Sequence, residues 1–288
     1  MEPDRDQPGL PSTIPGTSGE AVIRWAQLAD EGPFSSLSVI DRVVYPSQEP
    51  MAVLAAAAAV TRRVRLMPSV LLATLREPVM LAKQAATVDV LSGGRLTLAL
   101  GIGARPDDYQ ATGQPFRNRG RRLERTIETM RRIWRGEPLS DEVGPIGPRP
   151  VQPGGPPILI GASAEAAMAR AARIADGFIG TPAVLGRAQE VAQFIRNAWR
   201  EASRSGTPSL KAAAYFALGD VEKGAAYLRD YYAFAGQGAE YVVQGMVTTP
   251  EAVRQVIKVC EEAGFDEVCL WPTVADLDQL RRLAEIVA

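Results

Sequence analysis

Chemistry in this 288-residue chain has to come from few side-chain types, because the chain contains no histidine. That removes the side chain that most often exchanges protons near neutral pH, and with it the commonest metal ligand. Proton transfer is left to carboxylates, tyrosine, cysteine, lysine, water or a cofactor. The two cysteines, Cys260 and Cys269, are spaced neither as a zinc motif nor as a CxxC pair. They read as ordinary half-buried thiols of a reducing compartment. Four short groups then carry the candidate chemistry. Asp41-Arg42 places opposite charges at the end of an apolar run; they either face a pocket mouth or form a salt bridge that closes a loop. Gly101-Ile102-Gly103 follows a second apolar run, and a strand exit without side chains lets a ligand approach the backbone. Arg105 lies two residues beyond it, with a guanidinium suited to pairing with phosphate through two parallel bonds. Gly161-Ala162-Ser163 leads from a third apolar run into a helix. Backbone N–H groups and the helix dipole favour an anion there. The Ser163 hydroxyl either adds a bond to that anion or only caps the helix.

These groups need elements to hold them. From Glu77, apolar residues recur at helical spacing to Leu91, and Ser92-Gly93-Gly94 stops the helix, since glycine takes a left-handed backbone at little steric cost. Leu96 to Leu100 is a short apolar run, the mark of a strand covered on both faces. The same alternation runs through the chain. Strands are expected at Ser36–Ile40, Val64–Leu72, Ile158–Ile160, Gly177–Gly180, Lys211–Leu218 and Glu267–Trp271, with helical stretches between them. Met1 to Pro15 reads as mostly irregular, with Gly9-Leu10-Pro11-Ser12 as the tail of a curtailed first strand. The tally is about eight, which predicts a single (β/α)8 TIM-type barrel domain over residues 1–288, with a doubly wound open sheet as the rival. In a barrel the working face lies at the C-terminal ends of the strands. Asp41, Arg42, Ser69, Gly103 and Ser163 fall on that face, whereas Ser92–Arg95 precede a strand and belong to the scaffold.

The stretch AKQAATVDVLSGGRLTLALGIG, followed by DDY and an Arg-rich helix, resembles the bacterial luciferase-like monooxygenase superfamily, with LSGGR the most specific part. The resemblance implies the barrel and a cofactor of flavin type. It implies reduced FMN and oxygenation of a small organic substrate, or alternatively the deazaflavin coenzyme F420 and hydride transfer. A repurposed barrel without catalysis is the remaining alternative. Members often carry Asp-His where this chain has Asp41-Arg42, so these two become the catalytic candidates, shaping the pocket and offering a cation. By the same resemblance Ser69-Val70 is the position of a non-prolyl cis peptide set against the flavin ring. Gly101 and Gly103 would admit the cofactor's chain. Gly161, Ala162 and Ser163 would anchor its phosphate, with Arg105 supplying charge. A flavin reductase as source of reduced cofactor and a homodimer are further expectations.

Bulk properties bound the rest. Lys+Arg 32 against Asp+Glu 33 leaves a net charge of -1, which argues against a nucleic-acid partner. The longest apolar run, Met51 to Val60, is too short to cross a bilayer. With a polar, Pro-rich N-terminus, a cytoplasmic location is expected. No P-loop, no Ser-His-Asp set and no GxGxxG after a strand is present, and no metal site is expected.

Overall fold

Alternating apolar runs and amphipathic stretches become strands and helices in strict succession. A computed structural model describes residues 6–288. Its strands are β1 Asp6–Pro8, β2 Ser36–Val39, β3 Arg65–Leu72, β4 Leu98–Gly101, β5 Ile158–Ala162, β6 Gly177–Gly180, β7 Ser209–Phe216 and β8 Glu267–Pro272. All pair in parallel, in the order β1-β8-β7-β6-β5-β4-β3-β2. The two ends of that series meet through a bridge between Gly9 and Ser38, where Leu10 N donates to Ser38 O at 2.7 Å. The result is a nearly closed (β/α)8 barrel of TIM type. The helices are α1 Gly19–Glu31, α2 Pro50–Val60, α3 Pro78–Ser92, α4 Pro106–Ala111, α5 Arg119–Trp134, α6 Glu165–Ile174, α7 Ala188–Glu201, α8 Val221–Tyr231, α9 Gly238–Gln244, α10 Pro250–Glu262 and α11 Leu277–Val287.

The first strand is short, as expected, but lies earlier than the sequence suggests. Residues 1–5, part of the stretch read as irregular, lie outside the described residues. Asp6–Pro8 already pairs with Val268–Leu270 of β8, so the stretch to Pro15 is not irregular throughout. Gly9, expected within the strand, instead turns the chain across the barrel rim. A side chain at Gly9 would place its Cβ 2.8 Å from Trp271 Cδ1, so only glycine passes here.

Period-two alternation sorts each strand between two cores. Leu66, Leu98, Leu100, Ile158, Ile160, Phe178, Leu210, Val268 and Leu270 face outward and pack with the helices in the larger cluster. Met67, Ala99, Leu159, Ile179, Ala213, Tyr215, Cys269 and Trp271 face the barrel interior. The helices have definite ends. Glu77 caps α3 by accepting from Met80 N at 2.7 Å, and Gly93 closes it at φ 67°. Arg95, the arginine of LSGGR, is scaffold. Its guanidinium donates to Thr61 Oγ1 at 2.9 Å, Val64 O at 2.6 Å and Thr61 O at 3.0 Å. It thus ties the end of α2 to the start of β3. No helix among the described residues is long and apolar enough to cross a membrane.

Candidate active site

The exits of β2, β3, β4 and β5 converge. Asp41, Ser69, Gly103 and Ser163 line one cleft of about 420 Å³ at the C-terminal ends of the strands. Its floor is built at β3. The Ser69–Val70 peptide bond is cis, and the β3–β4 register shifts between Ser69 and Leu71. Val70 sits in a notch between two glycines. A Cβ on Gly101 would come within 2.5 Å of Val70 Cγ2, and one on Gly161 within 2.4 Å of Val70 Cγ1. Both glycines are therefore needed first by a side chain of the protein. Gly101 lines the cleft, as expected of a residue that admits a ligand, and its missing side chain also makes room for Val70. Gly103 is a separate case: its φ of +66° favours glycine whatever the neighbours.

The two catalytic candidates part company. Asp41 lines the cleft, but one oxygen, Oδ2, accepts both Leu72 N and Arg76 Nη2 at 2.9 Å. Arg76 in turn holds Glu49 Oε1 at 2.7 Å. Burial pushes the Asp41 carboxyl above the ordinary aspartate value, with Arg76 and the Leu72 N–H only offsetting it. Asp41 thus closes a loop, and its partner is Arg76 rather than Arg42. Arg42 does not line the cleft. Its Nη1 donates to Tyr231 O at 3.0 Å, and its guanidinium lies 4.5 Å from the Tyr45 ring centre. It props the wall from outside, so the sequence expectation of a cation offered at the mouth is not met by Arg42.

One end of the cleft suits an anion. Ser163 and Ala162 stand before α6, whose N-cap is Ala164 and which no side chain caps. Ser163 is therefore not spent on capping. Arg119 and Arg170 line the same cleft. Arg119 Nη1 donates to Gly103 O at 2.7 Å, and Arg170 Nε donates to Glu124 Oε1 at 2.9 Å. Arg121, two residues beyond Arg119, is exposed. Arg105 lines the cleft too, but its guanidinium lies against rings: 4.2 Å from the centre of Phe234 and 4.7 Å from that of Tyr231. Tyr215 and Tyr232 bond through their hydroxyls at 2.9 Å. Burial pushes the hydroxyls of Tyr215, Tyr231 and Tyr232 up, so they stay protonated.

The luciferase-like monooxygenase family model matches residues 5–285. The chain belongs to that family. A relative from Mycobacterium tuberculosis described as an uncharacterized protein is 35% identical over 171 residues, 57% of this chain and 60% of its own. The chain thus spans about three fifths of that relative's length. The F420-dependent hydroxymycolic acid dehydrogenase of the same organism is 32% identical over 54% of this chain and 45% of its own. Among solved structures, monooxygenase RslO1 from Streptomyces bottropensis superposes with a TM-score of 0.77 at 24% identity, covering 98% of this chain and 97% of its own. That likeness speaks for the fold.

Members of this family use a flavin or deazaflavin, and the residues here fit such a group. Val70 offers an apolar floor, and the uncapped α6 start with two arginines offers an anion site. Two buried polar atoms on the cleft-lining residues Ser69 and Arg105, Oγ and Nε, have no partner. Sequence reasoning missed Arg76, Arg119, Arg170 and the aromatic wall. Tyr231 and Tyr232, read as packing, line the cleft. Tyr215 was within reach, since it sits at an inward position of β7 in line with Ala213. Tyr109 does pack, as expected: its hydroxyl meets Thr74 Oγ1 at 2.5 Å and donates to Ile102 O. Among the described residues no group of His, Cys, Asp and Glu could hold a metal.

Proposed function

We propose that the protein is a coenzyme F420-dependent oxidoreductase that exchanges a hydride with a small organic substrate in this cleft. The observation that carries the reading is the balance of the lining. It has an apolar floor at Val70 and an anion site at Ser163. Its one carboxylate, Asp41, is already tied to Arg76 and Leu72 N. With no histidine and no free carboxylate facing the cleft, the protein's work is to bind, orient and exclude water, and the bound cofactor supplies the redox chemistry. Ser163, Arg119 and Arg170 would hold the phosphate, and Val70 would support the ring. The tyrosines keep their protons and can hydrogen-bond a substrate oxygen at the reacting carbon. The deazaflavin is supported by the named activities of two relatives. One is the mycobacterial dehydrogenase above; the other is the F420-dependent glucose-6-phosphate dehydrogenase of Nocardia farcinica, 34% identical over 46% of this chain and 42% of its own.

The second reading is a reduced-FMN monooxygenase fed by a flavin reductase. It is favoured by the family's description and by the fold shared with the Streptomyces monooxygenase. Titrating purified apo-protein with each cofactor separates the two. Tight binding of F420, with FMN at least tenfold weaker, is expected, and tight binding of FMN alone would retire the deazaflavin version. If neither cofactor shifts the melting temperature, the barrel is a repurposed one and both readings fall.

A further inference from the structure

Arg105 is a cleft cation with no carboxylate in ion-pair contact among the described residues, and its charge is met only by rings and the Tyr231 hydroxyl. Each other arginine of the cleft and its wall is engaged: Arg76 with Asp41 and Glu49, Arg170 with Glu124, Arg119 with Gly103 O, Arg42 with Tyr231 O. Arg105 meets Tyr231, Tyr232 and Phe234 at 4.7, 5.8 and 4.2 Å from the ring centres. Its Nε is buried without a hydrogen-bond partner, and among the described residues no carboxylate lies in ion-pair contact with it. Aromatic clamping fixes the flat face of the guanidinium; part of its edge bonds the Tyr231 hydroxyl, and Nε is left without a partner. A half-buried cation with an unmatched donor is costly until an anion meets it. The planar fork suits a carboxylate, which it can bind through two parallel bonds. The clamp belongs to the wall formed by α8 and the turn after it, whereas Ser163 and Arg170 belong to β5 and α6. The cleft therefore has cations on two walls, and one phosphate needs only one of them.

We infer that Arg105 receives the carboxylate of an anionic organic substrate, leaving the cofactor phosphate to Ser163, Arg119 and Arg170. This departs from the expectation that Arg105 serves the phosphate, and it rests on the oxidoreductase reading for its meaning in turnover. The body of such a substrate would be apolar, because Trp271, Tyr215 and Ile40 form the wall beside the clamp.

Calorimetric titration with benzoate and with uncharged methyl benzoate tests the inference without any turnover. The wild-type protein is expected to bind benzoate at least tenfold more tightly than the ester. Arg105→Met should erase that preference while leaving affinity for the ester and for the cofactor within about twofold. Arg105→Lys, which keeps the charge and loses the fork, should restore part of it and guards against a folding defect in the first variant. Equal binding of acid and ester by the wild type overturns the inference. So does an Arg105→Met protein that loses the cofactor but keeps its preference for benzoate, since Arg105 would then be a phosphate anchor. Failure of the wild type to bind either cofactor sinks the oxidoreductase reading instead, and the benzoate preference is read independently of it.

Discussion

The two ends of the barrel treat charged groups differently. At the closed end, where the strands begin, charges are matched. Lys211 pairs with Glu267, which also accepts from the hydroxyls of Ser35 and Ser36. Asp89 accepts from Val151 N, Gln152 N and Gln152 Nε2 at 2.8, 3.1 and 2.7 Å. At the open end, Arg105 Nε is buried without a partner, no carboxylate among the described residues pairs with Arg105, and α6 starts without a side-chain cap. Burial of an unmatched polar group is destabilising, so a fold tolerates it where a ligand completes the set. The closed end holds the barrel together, and the open end is arranged for something else.

The largest test of that contrast is Lys211→Met. It strands Glu267, 6% exposed in the barrel floor, without its cation. Breaking a buried pair from one side costs about 3–5 kcal/mol. Urea denaturation should show that loss, while the affinity of the folded fraction for its cofactor stays unchanged. Adding Glu267→Leu should return most of the stability, because replacing both partners leaves no charge uncompensated. A cofactor affinity that falls in step with stability would show the two ends to be coupled.

Next in size is the Val70 notch. Gly161→Ala would put a methyl into space that Val70 Cγ1 already holds, with 2.4 Å between the centres. Overpacking of this kind costs about 1–3 kcal/mol. Here, unlike at Lys211, cofactor affinity should fall as well, because the displaced group is the cleft floor. Val70→Ala in the same chain should recover stability by removing the clashing methyl groups, and the double-mutant cycle should show coupling. Additive effects would mean that Val70 moves aside freely and is no floor.

The Val70 notch also shows what the sequence could and could not disclose. The barrel was legible because each strand is an apolar run with a helix after it, and the face rule then placed Asp41, Ser69, Gly103 and Ser163 around one opening. The meaning of Gly101 and Gly161 was not legible. A glycine at a strand exit looks the same whether it admits a ligand or a valine from another strand. The partner of Asp41 was hidden for a similar reason. Adjacency suggested Arg42, but both residues lie in the loop beyond β2, where Arg42 turns to Tyr231 O and Arg76 reaches Asp41 from the segment after β3. Tyr227, Tyr231 and Tyr232 carry a helical spacing that predicts packing. The place of Tyr231 and Tyr232 in the cleft depends on α8 ending at Tyr231 and the chain turning back through Ala233–Ala235.

The pH dependence of stability should separate the two ends with opposite signs. Asp30, at the closed end, meets a burial effect that pushes its carboxyl up. Hydrogen bonds from Val64, Arg62 and Arg63 outweigh it and hold the group below the ordinary aspartate value. Its stabilisation is present above the ordinary value and is lost as pH falls through the folded one. Asp41 is held above 3.8 by burial, so its contribution is full below the ordinary value and is lost as pH rises through the folded one. Unfolding measured from about pH 3 to pH 7 should show the gap between wild type and Asp30→Asn widening with pH. The gap for Asp41→Asn should narrow over the same range. Gaps of the same sign would remove the contrast.

The smallest expected effect on stability belongs to Ser163→Ala. Ser18 caps α1 by accepting from Ala21 N at 3.1 Å, and its replacement by alanine should cost about 1 kcal/mol. Ser163 is exposed and caps nothing, so the same exchange there should stay within about 0.5 kcal/mol in urea. If its hydroxyl serves a phosphate, removal of that bond should weaken cofactor binding several-fold, and should weaken inorganic phosphate as a competitor to the same degree. A hydroxyl that costs nothing to remove from the fold, yet is felt by an anion, can only be there for the anion. A Ser163→Ala protein with unchanged phosphate and cofactor affinity would move the anchor to Arg119 and Arg170 alone.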